Sequence, residues 1–131
     1  MTLSAISARL TLAFAAASGF LAVAMGAMGA HLLKQRLDSE ALGWIETGVR
    51  YQAWHALALI GIAAYLARRQ AHALGLAALA WMVGTVLFSF SLYALALTGY
   101  RPLAMITPFG GVAFLVGWGA LACYALRARL G

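Results

Sequence analysis

The chain has 131 residues, 65% of them hydrophobic and 9% charged; nine Lys+Arg against three Asp+Glu give a formal charge of +6, and the mean hydropathy is +0.91. Soluble domains carry about a quarter of their residues as charges, so this composition excludes a disordered chain, a nucleic-acid binder and an ordinary cytosolic enzyme. All three acids, Asp38, Glu40 and Glu46, fall within nine residues, and the rest of the chain is uncharged or basic.

The charges divide the chain into apolar runs: Leu10–Ala30 with 21 residues, Tyr51–Ala67 with 17, Gln70–Tyr100 with 31 and Pro102–Leu126 with 25. A helix crosses the hydrocarbon core with about 20 apolar residues. The first, third and fourth runs meet that length, and the segment before the second extends it. A soluble four-helix bundle needs a polar face on each helix, which the third and fourth runs do not offer. The expectation is therefore an all-α, integral membrane four-helix bundle, a single domain over residues 1–131.

Span one is placed at about 8–31. Ala22-Val23-Ala24 has the look of a signal-peptide cleavage site, but the apolar stretch is longer than a signal core. Ser18, Ala22, Gly26 and Ala30 form a small-residue stripe suited to close helix packing in lipid, so the span is read as retained. Lys34 and Arg36 leave the membrane. Asp38 or Ser39 caps the next helix, and Glu40 sits in its first turn, where a negative charge suits the helix dipole.

Residues 39–50 read as an amphipathic helix. Leu42, Ile45, Val49 and Ala53 share one face, Gly43, Glu46, Thr47 and Arg50 another. Trp44 and Tyr51 suit the headgroup level. This segment either bends at Gly48 or continues straight into span two, at about 51–67. Arg68-Arg69-Gln70 connects to span three, about 73–98, which ends at Gly99 as a C-cap. Thr107-Pro108 reads as an N-cap followed by Pro at the first helical position, and span four runs from about 108 to 126. Cys123 alone forms no intrachain disulfide or cysteine metal cluster and reads as a packing residue. No internal repeat is evident, so inverted-repeat transporter architecture has no support.

Topology follows the Lys/Arg bias. Arg9, Arg68, Arg69, Arg127 and Arg129 lie on one side, and Lys34, Arg36, Arg50 and Arg101 on the other. Five against four favours both termini in the cytoplasm, the more so if Arg50 is paired with Glu46.

Polar residues concentrate toward the membrane side of the 32–50 segment. His31 ends span one, and Glu46, Arg50, Tyr51, Gln52 and His55 enter span two. Thr85, Ser89 and Tyr93 share a face of span three, and Thr107 opens span four before Gly110 and Gly111. The expectation is one hydrogen-bonded polar mouth, since polar groups in lipid need partners. Glu46 and Arg50, at i,i+4, most simply form a surface ion pair; an anion-binding Arg50 and an interhelix tie are the other readings. His31 and His55 are interfacial, hydrogen-bonded histidines or ligands to metal or haem, and no third ligand motif supports the latter. Thr85, Ser89 and Tyr93 read as interhelix glue. The span-four N-terminus either binds a phosphate or carboxylate or uses its glycines for packing, with Gly111, Leu115, Gly119 and Cys123 as the stripe; packing is favoured. No catalytic set, phosphate loop or dinucleotide fingerprint is present, and no cofactor is implied.

The chain resembles the small bacterial inner-membrane proteins of domain-of-unknown-function family 423, UPF0382; eukaryotic transmembrane protein 256 is similar. The resemblance rests on Gly26-Ala27-Met28-Gly29-Ala30-His31, on Thr47-Gly48-Val49-Arg50-Tyr51-Gln52 with Trp54-His55-Ala56-Leu57, on Phe88-Ser89-Phe90-Ser91-Leu92-Tyr93, and on Ile106-Thr107-Pro108-Phe109-Gly110-Gly111. The family often has glycine between the two serines, where this chain has Phe90. It implies a multi-pass membrane protein of this size and no established reaction.

Three functional readings follow. The first is a non-enzymatic accessory or interaction subunit that packs against itself or a larger membrane complex. The second is a binding or transport module for a small amphiphile, a lipid headgroup or quinone, anchored at Arg50, His55 and the span-four N-terminus. The third is a lipid-modifying enzyme with His31 or His55 as base.

Overall fold

The computed structural model describes residues 7–129, and among them there is no strand. Helix α1 (Ala8–Ala30) starts at Ser7, whose hydroxyl accepts the Leu10 N–H at 3.1 Å. Its buried line, Thr11, Ala15, Ser18 and Ala22, recurs every three to four residues and packs on α2. A short 3₁₀ turn (Leu33–Gln35) follows. Helix α2 (Ser39–Leu66) is capped by Asp38, whose Oδ1 accepts the Ala41 N–H at 2.8 Å, with Glu40 in the first turn. It runs unbroken through Gly48, so the amphipathic segment and the second apolar run are one helix.

The third apolar run forms one rod in three parts. Helix α3 (His72–Gly84) passes into a π-helical segment (Thr85–Phe90) and then into α4 (Ser91–Thr98). Gly99, with φ of 70°, ends it in the left-handed conformation that glycine adopts without steric cost. A 3₁₀ turn (Arg101–Met105) leads into α5 (Thr107–Arg127). Thr107 is not the cap expected from the sequence. The preceding turn already supplies helical carbonyls, with Ile106 N–H bonding to Leu103 O and Phe109 N–H to Ile106 O, both at 3.1 Å. The Thr107 hydroxyl is thereby released for another contact.

Four helical rods thus pack as an all-α membrane bundle. α1 lies along α2, α2 also meets α4 and the π segment, and α5 packs on α3 and the π segment. Three stretches, Ala8–Gln35, His72–Thr98 and Arg101–Arg127, have the length and mean hydropathy (1.9, 2.0 and 1.7) to cross a membrane. α2 falls outside that set because Arg50, Gln52 and His55 lower its hydropathy, although Gln52 and His55 are buried inside the bundle.

On α5 the packing stripe is one residue away from the expected one. Gly110, Phe114 and Gly117 are the buried positions. A side chain at Gly117 would collide with the Trp81 indole, and one at Gly110 with the Phe88 backbone. Leu115 is 71% exposed, and Gly119 and Cys123 also face outward. One residue turns a helix by about 100°, enough to exchange the packed face for the lipid face.

Candidate functional site

Gln52 is the centre of a clasp joining three elements. It is fully buried on α2. Its Nε2 donates to Ser18 O on α1 at 3.0 Å, and its Oε1 accepts from the Tyr93 hydroxyl on α4 at 2.5 Å. One turn earlier the Ser89 hydroxyl donates to Gly48 O at 2.7 Å. This approach requires glycine at 48, since a Cβ there would lie 2.6 Å from Tyr93 Cε1. In an apolar medium each of these groups needs a partner inside the protein, and each has one. The hydroxyls of Thr11 and Ser18, buried at the α1–α2 contact, have none among the described residues.

His55 points to a different neighbour. Its ring stacks on Phe114 of α5, with centroids 3.7 Å apart and planes 9° apart. Trp118 Nε1 donates to His55 Nε2 at 3.0 Å, and His55 Nδ1 lies 2.6 Å from Tyr51 O. An indole N–H only donates and a carbonyl only accepts. His55 is therefore the neutral tautomer protonated on Nδ1, with both nitrogens engaged. Tyr51, Phe88, Trp81 and Trp118 complete an aromatic cluster around it. Trp81 Nε1 donates to Phe114 O at 3.2 Å. Between α2 and α5 the cluster borders an open groove of about 730 Å³, walled by Tyr51, Trp54, Phe88, Gly111 and Trp118.

The expected single polar mouth is divided. Gln52, Ser89 and Tyr93 form the interior clasp, and His55 faces α5. Glu46 and Arg50 pair at 3.0 Å on the exposed side of α2. Arg50 and Gln52 are two residues apart, so they point about 200° apart on the helix. His31 is exposed at the end of α1, where its backbone N–H bonds Ala27 O and Met28 O. Thr107 bonds Ser91 Oγ at 2.6 Å, tying α5 to α4. Gly110 is covered by Phe88, and Gly111 borders the groove. The second cation near the span-four N-terminus, Arg101, pairs with Glu40 at 3.3 Å and lies over the Trp44 ring. Thr85 bonds back to Trp81 O within its own rod at 2.8 Å and is not an interhelix tie. Phe90, at the position of the family's glycine, is half-buried and packs beside Tyr93. Among the described residues no three His, Cys, Asp or Glu side chains gather as a metal site.

The residues not anticipated are Trp81, Phe88, Phe114 and Trp118. A signal was present, because an indole N–H within an apolar run must find an acceptor. Which acceptor it finds depends on helix pairing.

A family described as "Protein of unknown function (DUF423)" matches residues 25–111, from the end of α1 to the start of α5. The "UPF0382 inner membrane protein YgdD" of Escherichia coli K12 is 45% identical over 124 residues, covering 95% of each chain. A "UPF0382 membrane protein" of Haemophilus influenzae is 42% identical over 118 residues, 90% of this chain and 94% of that one. The "UPF0382 membrane protein YwdK" of Bacillus subtilis is 41% identical over 105 residues, 79% of this chain and 85% of that one. No solved structure matches. A helical membrane bundle with this clasp and aromatic cluster, matched in sequence across nearly its whole length, belongs to the DUF423 (UPF0382) family of membrane proteins.

Proposed function

We propose that this protein is a non-enzymatic accessory or interaction subunit of the inner membrane, with α2 as a fourth span and both termini in the cytoplasm. The observation that carries the reading is that the polar side chains gathered at the clasp and the aromatic cluster are all hydrogen-bonded within the bundle. Gln52, His55, Ser89 and Tyr93 are each bonded to another part of the bundle, leaving no side chain among them poised to move a proton or attack a substrate. Such bonds act as glue between helices. Function then rests on the outer faces of the helices and on what packs against them. At 28 residues and 1.5 Å rise, α2 is about 42 Å long, enough to cross with its charged first turns at the headgroups. The side of Arg9, Arg68, Arg69, Arg127 and Arg129 carries five basic residues against four on the other, which favours that side as cytoplasmic.

Extraction with native lipids, followed by identification of everything that co-purifies, tests the reading. The expected result is a discrete oligomer or a stable partner; a monomer with no partner overturns it. A C-terminal tag reached only from outside the cytoplasmic membrane overturns the orientation.

A second reading, an amphiphile-binding module, is favoured by one observation, the aromatic-walled groove between α2 and α5. Its anchor would be Trp118 rather than Arg50, which does not line the groove and is paired with Glu46. Native mass spectrometry is expected to find a bound amphiphile that Trp118→Ala loses; its absence from the unaltered protein ends this reading.

A further inference from the structure

We infer that the outer face of α2 is a self-association seam, and that two copies pair through it in parallel about a two-fold axis normal to the membrane. This rests on the interaction-subunit reading and names its partner as a second copy of this chain. Glu46, Arg50, Ala53, Leu57, Ile60 and Ala64 follow one another at spacings of 4, 3, 4, 3 and 4. That is the alternation of a heptad seam, which stays in register along a left-handed crossing of about 20°. It extends about 27 Å, close to the hydrocarbon thickness of about 30 Å.

The described residues leave this face uncovered. The buried line of α2, including Ile45, Gly48, Gln52, Leu59 and Ile62, lies on the opposite side. α1 flanks the seam on one side and α5 on the other. Leu57, 69% exposed, stands on the ridge between two grooves and borders both. The other seam positions are exposed, with Ala53 half-buried.

Charge and shape select the parallel pair. On the helical wheel Glu46 and Arg50 lie about 20° to either side of the Leu57 line. Glu46 is on the α1 side and Arg50 on the α5 side. A two-fold axis along that line sets each carboxylate opposite the partner's guanidinium, while like charges fall diagonally apart. Antiparallel pairing would send the charges to opposite membrane faces. The same axis brings the partner's Trp54, 53% exposed in one copy, to the α1–α2 groove. That groove is about 700 Å³ and lined by small residues including Ala16, Gly19, Gly26 and Ala53, so a large knob meets a small-residue hole, as isologous interfaces require.

The test is oxidative cross-linking in isolated membranes, in a Cys123→Ser background of the full chain. Leu57→Cys is expected to give a disulfide dimer, and Leu115→Cys, equally exposed on α5, is not. Glu46→Arg is expected to reduce the Leu57→Cys dimer about tenfold, since it sets like charges together, and adding Arg50→Glu to restore it. Because both charged positions are exposed, these changes leave the bundle intact, which size analysis in mild detergent verifies. No cross-link at residue 57, or an equal one at 115, overturns the seam; an unchanged dimer on charge reversal overturns the parallel geometry. A larger complex that co-purifies without the Leu57→Cys cross-link overturns self-association alone and leaves the interaction-subunit reading standing.

Discussion

Trp118 Nε1 donates to His55 Nε2 across the α2–α5 contact at 3.0 Å, and this bond fixes the protonation of a buried imidazole. With Nε2 accepting, the ring proton is on Nδ1, directed at Tyr51 O. Nitrogen NMR of ring-labelled histidine in detergent or nanodiscs is expected to show Nδ1 protonated and Nε2 bare. Trp118→Phe keeps an aromatic ring but removes the donor, and is expected to cost about 1 kcal/mol of bundle stability, read from the unfolding midpoint. A His55 ring protonated on Nε2 in the unaltered protein would contradict the arrangement.

The clasp between Gln52 and Tyr93 carries its own test. Tyr93→Phe and Gln52→Leu, alone and combined, form a double-mutant cycle. Hydrogen bonds between membrane helices measured in this way average about 0.6 kcal/mol and reach about 1.7. The Gln52–Tyr93 coupling is expected toward the upper end, because both residues are buried and the same amide also holds Ser18 O. A coupling of zero would show that the two side chains act independently.

Ser18 is expected to behave in the opposite sense. Its carbonyl serves Gln52, while its buried hydroxyl has no partner among the described residues. Ser18→Ala keeps the carbonyl and removes the unsatisfied group, so stability is expected to be unchanged or raised by about 1 kcal/mol. Thr11→Val at the same interface follows the same logic. A clear loss from both would indicate that these hydroxyls have partners.

Glycine substitutions on α5 distinguish its two faces. Gly110→Ala meets the backbone of Phe88, which cannot rotate aside, and Gly117→Ala meets the Trp81 indole. Each is expected to destabilise by about 1–3 kcal/mol. Gly119→Ala meets nothing and is expected to be neutral or slightly stabilising. Thermal denaturation of the three variants decides it, and the reverse order would assign the packed face to the other stripe.

The helical rods were legible in the sequence because charge positions and run lengths determine them, and Gly99 and Asp38 mark ends by local chemistry alone. The Glu46–Arg50 pair was legible for the same reason, since both partners sit on one turn of one helix. The division of the polar residues was not. Gln52 and Arg50 share a segment but not a direction, and His55 takes its stacking and Nε2 partners from residues 59 and 63 positions later in the chain. The offset from Gly111 to Gly110 depends on how α5 is rotated against α3, which no local pattern specifies. Thr107 was misplaced as a cap because the 3₁₀ turn before it leaves little local signature.

The π segment at Thr85–Phe90 has a consequence for how the chain tolerates changes in length. Each π bond spans one residue more than an α bond. Trp81 bonds Phe114 O on α5 and Tyr93 bonds Gln52 on α2. The segment holds one residue more than a continuous α-helix needs between the same two ends, so deleting one residue such as Val86 would leave Tyr93 and Trp81 close to their present relative phase. A deletion within α3 or α4 has no such slack and would turn one of the two by about 100° away from its partner. A single-codon deletion in the π segment is therefore expected to be better tolerated than one in the flanking helices, with the unfolding midpoint of the bundle as the measurement.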